Sequence, residues 1–400
     1  MISYISDKND YTKKRKILIT KLLGGDFDGV FNYIYNLLTH INLQNVQFDL
    51  YISAGDIVPI FIYPRLMEMG VNVFVGTRLR NQHSYRIDIE SLNTLMKEHK
   101  YDAMYVNSGH PLFTAIQIWV ARKNKLKRLI THSHNSVTTK IEKERNLKKM
   151  LFFFSRKYIS HNATFFLACS EIAGDWLYGK NIMKTRGRIV KNGIAIENYL
   201  FNLSERERLR KVHDIKETCI VIGLTANFTP QKNHLFLVKV FSEFLKFSSD
   251  SVLLLVGDGD GKNNILEEAK KLGLAEKIIF TGSVSNANEY YSVMDVFVMP
   301  SIHEGLPFVG IEAQASCLPC LFSDVITQEI NLTDYAHFYS LENSPNEWAE
   351  KISKLLFQIS LERRIKDSIL NMELIKKSGF DLKQMTDNIS EILDIKDLEE

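Results

Sequence analysis

Cysteine is scarce: Cys169, Cys219, Cys317 and Cys320 are the four in 400 residues. So sparse a set builds no disulfide framework and points to a reducing compartment. Long hydrophobic runs are missing as well, and no stretch approaches the roughly 20 apolar residues that a membrane-spanning helix needs. Residues 1–16 are polar and charged and lack the apolar segment of a secretory signal. The expected location is therefore cytoplasmic, with contact at the inner face of a membrane left open. An excess of one charge is absent too: 50 Lys and Arg stand against 47 Asp and Glu, a formal charge of +3. That balance provides no global basic field for wrapping nucleic acid. No short repeat or low-complexity tract interrupts the chain. What remains is ordinary globular material, 45% hydrophobic and 24% charged.

Short β-branched or apolar runs alternate with helix-period stripes. The strand candidates are residues 16–20, 46–52, 71–75, 103–106, 128–131, 164–168 and 188–190. A second series comprises 219–223, 252–256, 278–280, 296–298 and 319–322. Between them recur stripes such as Val30, Ile34, Leu37, Leu38 and Ile41, or Leu237, Val240, Phe241 and Phe244. Strand–helix alternation means βαβ units, parallel sheets and helices on both faces. The series divides around residues 191–215, where the stretch 204–211 is rich in charge and poor in apolar residues. The expected fold is α/β, two doubly wound domains over 1–200 and 201–375, with a helix over 376–400 that crosses back to the first. Parallel sheets hold ligands beyond the carboxyl ends of their strands, so the working site is expected in a cleft between facing domains.

The segment from Pro300 to Ala315 is the most informative. A strand ends at Pro300, a loop carries Glu304 and Gly305, and Pro307 suits a first helical turn. Backbone N–H groups around Gly305, Leu306, Pro307 and Phe308 would then form a helix N-terminus, a natural seat for phosphate. Glu312 lies one and a half turns on, about 7–8 Å along the helix. Its carboxylate and that of Glu304 would flank a diphosphate.

This segment resembles the E-x(7)-E motif of GT-B glycosyltransferases, specifically family 4, with Glu304 and Glu312 in its two positions. Other stretches resemble the same family in the same order: Leu23–Gly24–Gly25, the run from Thr131 to Ser136, Ala168–Cys169–Ser170–Glu171, the run from Ile189 to Ile194, Pro230–Gln231–Lys232–Asn233, and the run from Leu255 to Gly259. The resemblance runs from about residue 16 to 375, and its Gly-Gly and His-Ser-His-Asn versions look most like bacterial capsule and exopolysaccharide transferases. It implies a retaining, metal-independent transfer of a hexosyl-type sugar from a nucleotide sugar, UDP favoured over GDP, to a growing polysaccharide or lipid-linked acceptor. By the resemblance Lys232 contacts the diphosphate, Gly25 lets the N-terminal loop approach it, Glu312 binds ribose hydroxyls and Glu304 sits near the donor sugar. His134 matches the histidine beside the transferred sugar, with His132 as the alternative. Glycosyl transfer expels a nucleoside diphosphate, so positive charge and N–H dipoles are what the chemistry needs.

One departure matters: the family's Gly-Arg after the first strand of the second domain reads Ala226–Asn227 here. Asn lacks the charge and fork of Arg. Two other readings follow from it or from the fold, a catalytically silent subunit that binds a partner transferase or glycan, and a sugar-nucleotide epimerase. Asp26 and Asp28 beside the glycine loop are unfavourable near a diphosphate unless they point away. The pair Asp258 and Asp260 imitates a metal-binding D-x-D but follows a strand end where a turn is expected, so no metal is assigned. Cys317 and Cys320 have redox-motif spacing at a helix end, where the dipole raises a thiol's pKa, and read as packing residues. Finally, residues 140–158 set Lys140, Lys143, Arg145, Lys148, Lys149, Arg156 and Lys157 around Met150, Leu151 and three phenylalanines, ending at Tyr158. That pattern suits either an anionic membrane surface or a helix with a core Phe face and a solvated Lys face.

Overall fold

The computed structural model describes residues 2–4, 14–21, 29–53, 62–76, 85–134, 146–304, 306–357 and 360–394. It contains two compact units, the first formed by 1–193 with 382–400 and the second by 194–381.

In the first unit the strands are β1 (Ile2–Tyr4), β2 (Arg15–Lys21), β3 (Val46–Ile52), β4 (Asn72–Val75), β5 (Ala103–Ser108), β6 (Arg128–Ser133), β7 (Phe165–Ala168) and β8 (Gly187–Ile189). They lie in the order β1-β4-β3-β2-β5-β6-β7-β8, all pairs parallel except the antiparallel edge β1–β4. Burial on both faces explains why these strands read as continuous apolar runs: Ile17, Leu18 and Ile19 of β2 have no exposed surface. The chain returns to this unit through the helix Leu382–Leu393, which packs on the helix Gly29–His40. Its buried face is Leu382, Met385, Ile389 and Ile392, a helical period. Arg15 Nη1 donates to the carbonyls of Leu393 and Asp394 at 3.2 and 2.6 Å and to Asp394 Oδ2 at 2.9 Å, capping the helix's negative end with a cation.

The second unit is built on β9 (Ile220–Thr225), β10 (Ser251–Val256), β11 (Ile278–Gly282), β12 (Val296–Met299), β13 (Cys320–Ser323) and β14 (Ala336–Tyr339). Their order is β11-β10-β9-β12-β13-β14, all parallel. The chain winds outward from β9 in one direction and then from β12 in the other, so the order reverses between those two central strands. Leu253, Leu254 and Leu255 of β10 and Phe297 and Val298 of β12 have no exposed surface.

The charged stretch at 204–211 is a structural helix, Leu203–Val212. Its Arg206 and Arg210, one turn apart, are buried beneath the end of the helix Ala287–Val293. Arg206 donates to the carbonyls of Ser292, Val293 and Met294, and Arg210 to those of Val293 and Cys219. Asp295 bridges both guanidiniums, at 2.6 Å from Arg206 and 2.7 Å from Arg210. A third buried arginine, Arg364, donates to the carbonyls of Tyr291, Met294 and Ser316. Three cations thus satisfy carbonyls that the helix end leaves without partners.

Candidate active site

Where the strand order reverses, loops leaving the carboxyl ends of adjacent strands turn to opposite faces of the sheet and open a crevice. In the second unit those loops are 226–233, after β9, and 300–307, after β12. Both are held in place by backbone contacts. Phe228 N–H donates to Asp258 O at 2.9 Å and Gly261 N–H to Phe228 O at 3.0 Å, tying the first loop to the turn that follows β10. That turn needs its glycines: Gly257 and Gly259 have φ of 136° and 154°. A Cβ on Gly257 would lie 2.2 Å from Ala226 O, and one on Gly259 2.8 Å from Phe228 N. Asp258 and Asp260 therefore sit on a turn that supports the first loop.

The two loops are stitched to each other. Ile302 N–H donates to Gln231 O at 2.8 Å, Gln231 Nε2 to His303 O at 2.6 Å, and Asn233 Nδ2 to Pro300 O at 3.0 Å. Asn233 holds a left-handed φ of 56°, the local bend that turns the chain into the helix His234–Phe244. At the tip Lys232 Nζ donates to Glu304 Oε1 at 2.6 Å, an ion pair with side chains 19% and 8% exposed. The sequence-predicted lysine and first glutamate are thus direct partners across the crevice mouth. Asn227, in contrast, is exposed on its loop. Burial, with Lys232 nearby, pushes His234 down to about 4.

Pro307, lacking an N–H, is the N-cap of the helix Phe308–Ala315, whose first turn has no side-chain cap among the described residues. Its orphan N–H groups therefore come from Phe308 onward, beside the partly buried Leu306. Gly305 lies outside the described residues, as does Gly25 with the rest of its loop, including Asp26 and Asp28, and Asn135 and Ser136. Glu312 is buried, and Tyr291 Oη donates to its Oε2 at 2.6 Å. The Tyr199 hydroxyl interacts with the same carboxylate, its ring centroid 5.9 Å from that of Tyr291. Burial raises the Glu312 pKa, while the two tyrosine hydroxyls oppose the shift by hydrogen bonding to the anion. Cys317, before β13, and Cys320, its first residue, are buried thiols, and burial raises the pKa of both, that of Cys317 to about 12.

In the first unit the two histidines behave differently. His132, on β6, has no exposed surface and uses both ring nitrogens. Its Nε2 lies 3.1 Å from Val190 O, which can only accept, so Nδ1 is the acceptor facing Tyr105 Oη at 2.6 Å. Tyr105 in turn accepts from Tyr33 at 2.6 Å. His132 is a fully partnered neutral residue, and burial holds its pKa well below the usual range. His134 follows β6, its ring 4.1 Å from that of His132 and 4.6 Å from Tyr33. Its Nε2 donates to Asn107 Oδ1 at 2.9 Å, which leaves Nδ1 as an acceptor with no well-formed hydrogen bond among the described residues. Burial pushes its pKa down to about 3, with Asn192 opposing. A neutral imidazole so held cannot act as an acid near pH 7.

Tyr33, Tyr105, Asn107, Tyr199 and Tyr291 went unread in the sequence. Each lies far along the chain from the residue it serves, and no spacing announces it.

Two units whose mostly or wholly parallel sheets carry helices have the GT-B architecture, and the lysine–glutamate pair lies at the point of strand reversal in the second. Solved structures agree on the fold: Anabaena Alr3699/HepE in complex with UDP matches with a TM-score of 0.72 at 15% identity, over 95% of this chain and 100% of that one. The same protein in complex with UDP-glucose matches with a TM-score of 0.72 at 16% identity, over 95% and 99%. Family models match side by side, glycosyltransferase family 4 over residues 27–198 and glycosyl transferases group 1 over 205–372. A Bacillus subtilis protein assigned as the glycosyltransferase EpsF is 28% identical over 95% of this chain and 96% of its own. The Escherichia coli UDP-Gal:alpha-D-GlcNAc-diphosphoundecaprenol alpha-1,3-galactosyltransferase is 24% identical over 71% and 73%. The chain belongs to the group 1, family 4 glycosyltransferases, enzymes that transfer a sugar from a nucleotide-sugar donor.

Proposed function

We propose that this enzyme uses a UDP-sugar, transfers with retention of anomeric configuration without a metal, and acts on a growing polysaccharide or lipid-linked glycan. The observation that carries the reading is the Lys232–Glu304 pair at the reversal between β9 and β12. In the reaction the donor's glycosidic C–O bond breaks and its electrons stay on the diphosphate. Lys232 and the uncapped N–H groups of the helix Phe308–Ala315 supply the counter-charge at that oxygen. The acceptor hydroxyl attacks on the face the leaving group departs, and its proton passes to the departing phosphate. No covalent nucleophile is assigned. By the family resemblance His134, held neutral by burial, lies beside the transferred sugar, and Glu312 with its tyrosines receives the ribose. The UDP preference is supported by the UDP and UDP-glucose complexes of the HepE structures and by the galactosyl donor in the Escherichia coli relative's name.

Thermal-shift titration with UDP- and GDP-sugars tests the donor. A rise in Tm with one UDP-sugar that Lys232→Ala and Glu312→Ala weaken supports the reading. A preference for GDP-sugars, or no shift with any nucleotide, sinks the donor assignment. With an acceptor identified, undiminished turnover in EDTA and an anomer-retaining product by NMR test the other two parts.

A further inference from the structure

Two helices of the first unit carry a surface that the nucleotide chemistry does not use. The helices Pro111–Lys123 and Asn146–Asn162 pack together. Beside them lies an open groove of about 800 Å3 lined by Ile89, Ala115, Trp119, Leu151, Phe154 and Tyr158. Of the three consecutive phenylalanines only Phe152 turns inward, toward His110 and Trp176, with ring centroids 5.1 and 6.0 Å away. Phe153 and Phe154 are 64% and 57% exposed, and Trp119, Met150 and Leu151 are exposed with them. A core Phe face, one of the two sequence expectations, is therefore not what this helix builds. Clustered aromatic exposure of this kind marks a site of contact.

Charge identifies the partner. The two helices hold Arg122, Lys123, Lys148, Lys149, Arg156 and Lys157 and no Asp or Glu. Lys123 Nζ stands 5.2 Å from the Trp119 ring centroid, and Lys157 lines the groove. Two-fold pairing of this face with a second copy would set its lysines against themselves. An acidic bilayer complements both features, since indole and phenyl rings favour the interfacial layer and ammonium groups the headgroup phosphates.

We propose that this face docks the protein on a bilayer containing anionic phospholipid. Phe153, Phe154 and Trp119 enter the interfacial layer, Lys123 and Lys157 meet headgroup phosphates, and the groove receives an acyl chain. The inference goes beyond the donor reading and does not depend on it, because docking is measured without nucleotide.

Trp119 is the exposed tryptophan, while Trp176 and Trp348 are buried, so intrinsic emission reports on this face. The full-length protein is titrated with vesicles of phosphatidylcholine alone and with phosphatidylglycerol added, following emission and co-sedimentation. The expected result is a blue shift and pelleting with the anionic vesicles only. Phe153→Ser/Phe154→Ser lowers the partition coefficient by roughly tenfold or more, as two rings lose their transfer from water. Lys123→Gln/Lys157→Gln lowers it about fivefold per lysine, the equivalent of about 1 kcal/mol each. Phe357→Ser, at an 89% exposed position of the second unit, leaves it unchanged. Cooperative melting of each variant verifies folding. Absence of binding to either vesicle overturns the proposal, as does equal binding to both. Lipid-free self-association that the phenylalanine changes abolish would assign the face to a second copy instead.

Discussion

Replacing Glu304 by Gln should tighten nucleotide binding while slowing transfer. In the resting protein Lys232 is held at 2.6 Å by a carboxylate, with both side chains largely covered. At an effective dielectric constant of about 20, unit charges at that separation attract by about 6 kcal/mol. Desolvation offsets most of this, leaving a net value on the order of 1–2 kcal/mol for a partly buried pair. A diphosphate that recruits Lys232 must first displace Glu304, so its apparent affinity is reduced by about that amount. Gln keeps the shape and the acceptor oxygen but not the charge. UDP should therefore bind Glu304→Gln roughly fivefold to tenfold more tightly, the equivalent of about 1–1.4 kcal/mol. Lys232→Ala should do the reverse, weakening UDP by roughly tenfold and lowering stability by about 1–3 kcal/mol, because the carboxylate is left buried without its donor. The double variant should recover the lost stability and not the lost affinity. Isothermal titration with UDP at fixed ionic strength, paired with urea unfolding, reads both quantities. If Glu304→Gln leaves UDP affinity unchanged and Lys232→Ala does too, the pair is a structural clamp and the assignment of Lys232 to the diphosphate is wrong.

Asn227→Arg, at an exposed position on a loop fixed by Asp258, should raise UDP affinity by roughly tenfold, since a hydrogen bond to a charged group contributes about 1.5–3 kcal/mol. An unchanged dissociation constant would place this loop away from the phosphates. Asp295→Asn removes the charge shared by Arg206 and Arg210 and should cost about 3 kcal/mol in urea unfolding; a loss under about 1 kcal/mol would show that the carbonyls alone satisfy the arginines. Buried His132, His134 and His234 all have folded pKa values below the unfolded one, His134 about 3 and His234 about 4, each through burial first. Below about pH 6.5 the unfolded chain takes up these protons first, so stability falls as pH drops toward 4, by up to about 1.4 kcal/mol per pH unit for each histidine. His234→Asn should flatten that slope in urea titrations, and an undiminished slope would assign the acid sensitivity to other groups.

Most of the sheet was legible because parallel strands buried on both faces leave unbroken apolar runs. The two strands that escaped reading are edges. Ile2–Tyr4 is a three-residue antiparallel addition, and Ala336–Tyr339 is only partly buried along its length. The stretch at 204–211 reads as part of the division between domains because it is rich in charge and poor in apolar residues; here the fold covers Arg206 and Arg210 by giving them carbonyls and a carboxylate, information that resides 80-odd residues away. At the candidate site, Glu304 and Glu312 stand out through their flanking Gly, Pro and strand-end context, and Lys232 through the family resemblance alone. Their mutual arrangement does not, since nothing local says that Lys232 meets Glu304 or that Tyr291 meets Glu312. Between His132 and His134, two residues apart, the family resemblance favours His134, but residue type and spacing do not separate them. The Tyr33–Tyr105–His132–Val190 series separates the fully hydrogen-bonded ring from the one whose buried Nδ1 has no well-formed hydrogen bond among the described residues.

In the proposed reaction, the asparagine at 227 changes where the counter-charge for a departing diphosphate has to come from. Across loops 226–233 and 300–308, Lys232 is the single lysine or arginine, and at rest Glu304 neutralises it. In the proposed reaction the donor therefore meets a crevice whose standing attraction is dipolar, from the N–H groups at the start of Phe308–Ala315, and gains a full cation only by displacing Glu304. The displacement has a second effect. It leaves a carboxylate, 8% exposed, without its ammonium partner at the moment the diphosphate arrives, beside the position that the resemblance gives the sugar. A carboxylate so released favours positive charge developing on the sugar ring, while the lysine it gave up favours negative charge on the leaving oxygen. In the proposed reaction one exchange of partners would thus serve both ends of the breaking bond. An arginine at 227 would strengthen the hold on the diphosphate in ground state and transition state alike, which lowers KM more than it raises kcat.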